Sequence, residues 1–553
     1  MAAMRWKLVV CTLLSAVLFP LALPNEILLE GNAFLGLFCL SFMFWAIYES
    51  PSYRFAAVLG MIFGLVSTVL ANYWLKNFNE YAIYTLGGTT LGYIGLNALL
   101  FCVIRGVARI RPGWRVFLTP MVWAVYEYLK STGFLASPYT LIAYPPHTIL
   151  PFIQFVDITG LWGLSFVCAL FSSLVAEAFS LRFSWAPRDL STVRLRRFSR
   201  LKYQALFSMA LVVIAFAYGA LRLGVGFASR RTITVELIQQ NIDSWRGDRA
   251  LAGLQSARDL TLRGLRQSQK TRHKPPDLVA WSETALRFPV NLSEEYPFRT
   301  LGRFYKDFDG LFQQFQTATL TGAPVVSPLP QRYYNAAVLV TKEGRITQMY
   351  AKQHPVPFVE SIPFMDVGFI RDFFQNDLGL SNFWLMGDTT VVFTLSLADG
   401  GNVRFGAPIC FEDMFPDICR DMVNHGAEVL VNVTNDSWSG MKSALTQHTA
   451  AARFRAIETR TPLVRSTNAG LTGLIAPSGE IVSELPLFKP GYLLVDVPVP
   501  VRSLPTLYAV CGDYLPYAFT FFILLILVYH AFESFWLKLK NAVFAALLRA
   551  RKR

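Results

Sequence analysis

Three ionisable side chains stand where short apolar runs end. Glu283 follows the run 277–281 in WSET, Lys352 sits in YAKQH after a hairpin-like TKEGRIT, and Cys410 closes the run 403–409 in GAPICFED. A rigid sheet can aim groups at its strand ends into one crevice. Together these residue types describe acyl transfer through a thioester. A thiol near its free pKa is mostly protonated at neutral pH and needs a base, which a carboxylate supplies. A neighbouring ammonium favours the thiolate and can donate to the oxyanion of a tetrahedral intermediate, with the backbone N–H of Phe411 as the expected second donor.

Each residue also has a plainer reading. Free cysteines are usually small buried hydrophobes, Glu283 could accompany Ser282 in capping a helix, and Lys352 could be a solvated cation. Their shared placement favours the triad. Glu412 and Asp413 fit first-turn helix charges as well as active-site groups. His354 is expected to shape the loop before Pro355, and His448 to lie on a helix surface. Trp438 suits either core packing or substrate contact. Cys419 and Cys511 are expected to pack in the core, with a disulfide on an outer face left open.

The elements that must hold these residues lie between about 230 and 508. Runs at 232–238, 277–281, 336–341, 390–395, 403–409, 428–433 and 463–467 read as strands, and the polar amphipathic stretches 248–269 and 443–460 separate several of them. This predicts an α/β or α+β domain large enough for its own core. No internal repeat, phosphate loop or CxxC cluster is present, so nucleotide chemistry and a zinc site have no support.

The rest of the chain answers to a different solvent. Of 553 residues 53% are hydrophobic and 16% charged, with mean hydropathy +0.38, which fits an integral membrane protein. Apolar spans are predicted at 8–23, 33–49, 55–75, 82–104, 116–130, 160–181, 204–226 and 514–535, the first as a retained signal anchor. Arginines at 105, 109, 111 and 115, basic residues at 182, 188, 194, 196, 197, 200 and 202, and the tail Arg549, Arg551, Lys552 and Arg553 mark cytoplasmic segments. The net charge of +14 therefore points to an anionic membrane face and not to nucleic acid. Seven crossings leave the domain after residue 228 outside, and the eighth returns the tail. The expected units are a membrane domain 1–228, a catalytic domain 229–508, and a last helix with a basic tail, 509–553.

Within the spans, Cys11, Cys39, Cys102 and Cys168 are expected to be inert packing residues. Glu127 and Lys130 could snorkel to the interface or bind a headgroup. Gly160 to Ser165, GLWGLS, is expected to permit close helix contact.

The segments PDLVAWSETA (276–285), YAKQHPVPFVESIP (350–363) and GAPICFED (406–413) resemble the three signatures of the nitrilase superfamily, whose members use a Glu–Lys–Cys triad in an αββα sandwich. Between seven helices and one, over nearly the whole chain, this pattern resembles the apolipoprotein N-acyltransferases. The resemblance implies Glu283 as general base, Lys352 as oxyanion-stabilising cation and Cys410 as nucleophile. It matches Glu360 to a second family glutamate that orients the lysine. YYNAA (333–337) and NDSWSG (435–440) also resemble family segments, which makes Asn335 and Trp438, beside Glu127, candidates for substrate contact; Phe411 and Glu412 would support the site. Val359 and Ser361 flank Glu360 where Gly and Tyr are common, and Phe411 stands where Tyr usually follows the cysteine.

The implied reaction is ping-pong. Cys410 takes an acyl chain from a membrane phospholipid and passes it to the α-amino group of the diacylglyceryl-cysteine of an apolipoprotein, with no cofactor or metal. The protein would act as a monomer in the bacterial inner membrane, its catalytic domain periplasmic and both termini cytoplasmic. A soluble enzyme would have to extract its lipid at about 0.8 kcal/mol per methylene. Two other classes stay open: a membrane-tethered amidase or nitrilase in which water resolves the thioester, and a non-enzymatic lipoprotein-binding scaffold or transporter.

Overall fold

A computed structural model describes residues 2–133, 135–183, 191–243, 250–290, 310–327, 332–362, 364–365, 367–377, 384–501 and 505–550. Arg188, Arg551, Lys552, Arg553 and the first two residues of the predicted stretch 248–269 lie outside these. Among the described residues six helices are long and apolar enough to cross a membrane: Met4–Ala22, Tyr53–Ala71, Ile83–Ile110, Val156–Phe183, Leu195–Val225 and Tyr514–Asn541. Two predicted spans are shorter. The segment 33–49 breaks into helices Ala33–Phe38 and Ser41–Tyr48, and 116–130 is the 16-residue helix Arg115–Lys130. Both lie in the bundle, with Met43, Phe44, Leu118 and Trp123 in its core. An apolar run reads alike whether protein or lipid covers it.

The Val156–Phe183 helix changes direction at Gly160 (φ 62°, ψ −174°), where a Cβ would lie 2.3 Å from the Tyr508 ring. Only glycine satisfies both the left-handed backbone and that contact. The close approach expected of this segment is therefore made by Tyr508, on the short helix Leu507–Cys511 that precedes the last long helix. At the opposite end of the bundle the basic residues pair. Arg109 and Arg105 donate to the Ser50 carbonyl at 2.8 and 3.3 Å, Arg115 and Arg197 both meet Glu177, and Arg111 lies 2.7 Å from Glu533.

The second unit is a two-sheet sandwich. The chain runs through β1 (Ser229–Gln239), β2 (Leu278–Ala280), β3 (Thr319–Val326), β4 (Tyr333–Val340), β5 (Ile346–Ala351) and the short β6 (Trp384–Leu385). It then builds β7 (Val392–Ser396), β8 (Asn402–Gly406), β9 (Val429–Thr434), β10 (Leu463–Thr467), β11 (Gly473–Ile475) and β12 (Ile481–Glu484), and returns through β13 (Gly491–Pro500). The first sheet has the order β13-β1-β2-β3-β4-β5 with β6 beside β4; the second is β12-β11-β10-β9-β8-β7. Parallel pairs β1–β2, β2–β3, β8–β9 and β9–β10 lie at the centres.

Strand periodicity sorts the side chains into layers. Val235, Leu237, Leu278 and Ala280 face the second sheet, while Ile238, Val279 and Trp281 pack on Leu254, Ala257 and Leu260 of the helix Ala250–Arg272. Ser466 on β10 donates to the Ala280 carbonyl across the sandwich at 2.7 Å. Helices Pro416–Asn424 and Lys442–Thr459 cover the second sheet, completing an αββα architecture. The sequence reading does not anticipate β3, β6, β11, β12 or β13. In β13 the prolines 498 and 500 argue against a strand, and they are tolerated because β13 lies at a sheet edge.

The stretch predicted at 443–460 forms a helix, but not one with a solvent face. Between the second sheet and the bundle almost every residue of Lys442–Thr459 is buried. Gln447 donates to the Pro24 carbonyl at 2.8 Å and accepts from Trp74, Arg453 meets His147 at 3.0 Å, and Glu458 accepts from the Leu161 N–H at 3.1 Å. Just beyond, Arg460 pairs with Asp157 at 2.7 Å. These contacts fasten the sandwich to the membrane helices. All seven cysteines are free; Cys419 is buried as expected, whereas Cys511 is exposed, at the end of a short helix that leaves its thiol uncovered.

Candidate active site

Lys352 follows β5 directly, and its Nζ lies between two carboxylates. Glu283 Oε1 is 3.0 Å away and Glu360 Oε2 2.8 Å. Asn335 on β4 bridges the same pair, its side-chain amide N–H groups donating to Glu283 at 2.8 Å and to Glu360 at 2.9 Å, while its backbone carbonyl accepts from the Lys352 backbone N–H. The second oxygen of Glu283 accepts from the Asn435 N–H at 3.1 Å. Glu283 comes this close to β3 because position 322 is glycine: a Cβ there would lie 2.6 Å from the Glu283 Cα. Burial works against the charge on Lys352, but Glu283 and Glu360 outweigh it and hold the ammonium well above its ordinary pKa.

Cys410 lies past a bend. β8 ends at Gly406, four residues short of the thiol, and a single bridge from Ile409 to Val433 carries the direction onward. Ile409 is extended, Cys410 has φ 54°, and a one-turn 3₁₀ helix, Cys410–Met414, follows. Left-handed backbone is uncommon outside glycine and recurs where a sharp turn presents a functional group. Asn432 supports the turn by donating to the Cys410 carbonyl at 2.9 Å. Burial pushes the thiol well above its ordinary pKa, Glu283 adds to the rise, and Lys352 pulls against it. The charge cluster and the sulfur thus share one electrostatic environment.

Glu412 serves this site as a brace. Its carboxylate accepts from Ile409 N at 2.8 Å, Gln353 N at 2.6 Å, His354 N at 3.0 Å and the Tyr350 hydroxyl at 3.1 Å. Two of those donors are the residues after Lys352. His354 stacks on Phe415 at 4.2 Å, in keeping with a loop-shaping role.

A buried ionic chain lies behind the Cys410 turn. His448 Nε2 is 2.6 Å from Asp413 and Nδ1 is 2.9 Å from Asp436; Arg465 also bonds to Asp413. Burial opposes the charge on His448, yet Asp436 and Asp413 raise its pKa to about 9. This corrects the expectation of a helix-surface histidine, because its face of the helix packs on the turn after Cys410 and on Asp436 beyond β9. Asp413 and Asp436 lie in or beside the signature segments, but their partners come from 35 and 12 residues away.

In front of Cys410 opens a cavity of about 320 Å³. Cys410, Phe411, Asp436 and Trp438 line it from the sandwich; Phe78, Tyr93, Leu96, Leu129 and Lys130 are among those lining it from the bundle. Trp438 stacks on Phe78 with centroids 4.0 Å apart, and the Phe411 ring lies 5.9 Å from the Lys352 ammonium. Glu127 does not reach the cavity. It is fully buried, held by Ile142 N at 2.7 Å and Ser165 at 2.5 Å, and Lys130 donates to the Thr140 carbonyl at 2.8 Å. Neither side chain snorkels, because folding of 136–144 against the bundle supplies polar partners inside it. Among the described residues no group of three or more His, Cys, Asp or Glu is placed to hold a metal.

Two family patterns match the chain: "Carbon-nitrogen hydrolase" over residues 234–505 and "Apolipoprotein N-acyltransferase N-terminal domain" over residues 15–174. Apolipoprotein N-acyltransferase 2 of Treponema denticola is 36% identical over 94% of this chain and 96% of its own. Apolipoprotein N-acyltransferase 2 of Treponema pallidum is 35% identical over 88% of both chains, and the apolipoprotein N-acyltransferase of Borreliella burgdorferi is 28% identical over 90% and 91%.

Proposed function

The chain belongs to the apolipoprotein N-acyltransferase family, and from that premise we propose that it N-acylates the amino-terminal diacylglyceryl-cysteine of apolipoproteins, with a membrane phospholipid as acyl donor. One observation carries this reading. Cys410 lines a mostly apolar cavity walled jointly by membrane helices and the sandwich, which supports a route for a lipid acyl chain to the thiol through apolar surroundings.

In the first half-reaction the Cys410 sulfur attacks the ester carbonyl of the phospholipid. Glu283 accepts the thiol proton as the C–S bond forms, because burial keeps the resting thiol protonated. Lys352, held cationic by Glu283 and Glu360, and the Phe411 N–H stabilise the oxyanion. The C–O bond then breaks, Glu283 returns the proton to the glycerol oxygen, and a lysophospholipid leaves. In the second half-reaction the α-amino nitrogen of the acceptor attacks the thioester. Glu283 takes a proton from the nitrogen, the C–S bond breaks, and the proton returns to sulfur as the amide forms.

The proposed arrangement has residues 1–228 in the inner membrane, 229–508 in the periplasm and 509–553 ending in the cytoplasm, with the protein acting as a monomer. The paired arginines at the bundle end away from the sandwich support that orientation. The match of residues 234–505 to carbon-nitrogen hydrolases favours one rival, a membrane-tethered amidase in which water resolves the thioester. Intact mass spectrometry of the full chain incubated with phospholipid separates them. The transferase predicts an adduct of one fatty acyl group on Cys410 that a diacylated lipopeptide discharges as N-acyl product; an adduct cleared to free fatty acid at the same rate without lipopeptide sinks it.

A further inference from the structure

A groove of about 770 Å³ lies in the bundle among helices Arg115–Lys130, Val156–Phe183, Ser191–Val225 and Tyr514–Ala550. Its walls are aromatic, with Trp114, Phe117, Phe207 and Phe522, while Arg196 and Arg200 stand at its edge. It is far from Cys410. Arg200 is 25 residues before Val225, where the chain enters the sandwich, which is about 37 Å at the helical rise. Along the helix Arg115–Lys130, Phe117 lines this groove and Lys130 the Cys410 cavity, 13 residues or about 20 Å apart.

The two arginines differ from their neighbours. Arg197 is engaged by Glu177 and Arg111 by Glu533, but among the described residues no carboxylate pairs with Arg196 or Arg200. Arg200 lies along Gly113, whose added Cβ would clash with its guanidinium, and Gln204 donates to the Gly113 carbonyl at 3.1 Å. Arg200 therefore lines the groove with its guanidinium beside Gly113 and no carboxylate partner among the described residues. The groove also separates the two least buried apolar helices: only 17% and 11% of the most apolar stretches of Leu195–Val225 and Tyr514–Asn541 are buried inside the protein.

We infer that this groove binds an anionic phospholipid, at a site separate from the one that presents an acyl donor to Cys410. The phosphate lies between Arg196 and Arg200, and an acyl chain runs along Phe117, Phe207 and Phe522. Basic recesses between membrane helices suit anionic headgroups, because the guanidinium fork matches phosphate oxygens and the acyl chain replaces bulk lipid along the wall. A zwitterionic lipid brings its own cation to the same rim and loses that advantage. No bond is made or broken, so the lipid acts as a structural ligand that fills the space between the two least buried apolar helices.

Native mass spectrometry of the full chain from detergent, supplied with equal dioleoyl-phosphatidylglycerol and dioleoyl-phosphatidylcholine, tests this. Wild type should retain the anionic lipid about thirtyfold more than the zwitterionic one, since each basic residue near the headgroups contributes about 1 kcal/mol. R196Q/R200Q should abolish the preference, and M121W, which fills the groove, should lower retention of both lipids. Acyl loading of Cys410 should stay unchanged in both variants, which separates this site from the donor cavity. Equal retention of the two lipids by wild type, needing no variant at all, overturns the inference. So does an anionic preference that survives in R196Q/R200Q, or a dimer whose interface fills the groove.

Discussion

The Glu412 carboxylate accepts a hydrogen bond from the Gln353 backbone N–H at 2.6 Å, so the second residue after the thiol holds the first residue after the lysine. Cys410 and Lys352 lie on different sheets, and this contact, with those to His354 and Ile409, sets their relative position. Glu412→Gln presents an amide N–H to a site where every partner is a donor. Loss of charge-assisted bonds of about 1.5–3 kcal/mol each predicts a tenfold to hundredfold slower acyl loading of Cys410, with lipid retention little changed. Stopped-time intact mass spectra measure it, and loading at the wild-type rate would remove Glu412 from the positioning role.

Asn335 separates Glu283 from Glu360 while donating to both. Asn335→Asp places a third carboxylate around a single ammonium, whereas Asn335→Ala only removes two donors. The aspartate variant should therefore lose more activity than the alanine one. It should also show an acidic limb of its pH–rate profile moved upward, because crowded carboxylates hold protons more tightly. Equal losses with unchanged limbs would mean that Asn335 matters only for packing.

The Asp413–His448–Asp436 chain makes folding stability depend on pH. The folded pKa of His448 is raised from 6.5 to about 9, so its contribution is fully present below pH 6.5 and is lost as pH rises through about 9. Arg465 beside Asp413 opposes the charge on His448 and reduces the size of the effect. Thermal unfolding of the full chain in detergent should show stability falling between pH 6.5 and 9, with that slope reduced in His448→Gln. Glu236, buried on β1 and raised to about 9 by burial, adds a fall from pH 4.5 to 9 that Glu236→Gln should remove independently.

Leu96 lines the Cys410 cavity from the bundle. Leu96→Trp shortens the apolar space open to an acyl chain and should favour shorter donors. Each methylene excluded from the cavity forgoes about 0.8 kcal/mol, roughly a fourfold change in relative loading per methylene. Competition between phospholipids of different chain length, read as the ratio of adduct masses on Cys410, gives the answer. An unchanged ratio would place the acyl chain elsewhere.

Much of this was legible in the chain. Glu283, Lys352 and Cys410 are named by residue type and by the strands that precede them, and Lys352 follows β5 directly. The strand at 463–467 and the helix at 443–460 are nearly where periodicity puts them. Other features were not. β13 hides behind its prolines, the bend at Gly406 precedes the cysteine by four residues, and Glu127 reads as an interfacial charge because Ile142 and Ser165 are remote in sequence.

Local pattern by itself determined most of the segments apolar enough for a bilayer, many of those that alternate as strands, and the side chains that are candidates for acyl chemistry, since each follows from residues within a few turns of one another. Tertiary structure decided the rest: that Lys352 has two carboxylates rather than one, that His448 is sealed between two aspartates, and that Cys410 lines a cavity shared with the membrane helices. Those features depend on groups up to several hundred residues apart meeting at hydrogen-bond distance, and a short window of sequence holds only one member of each pair.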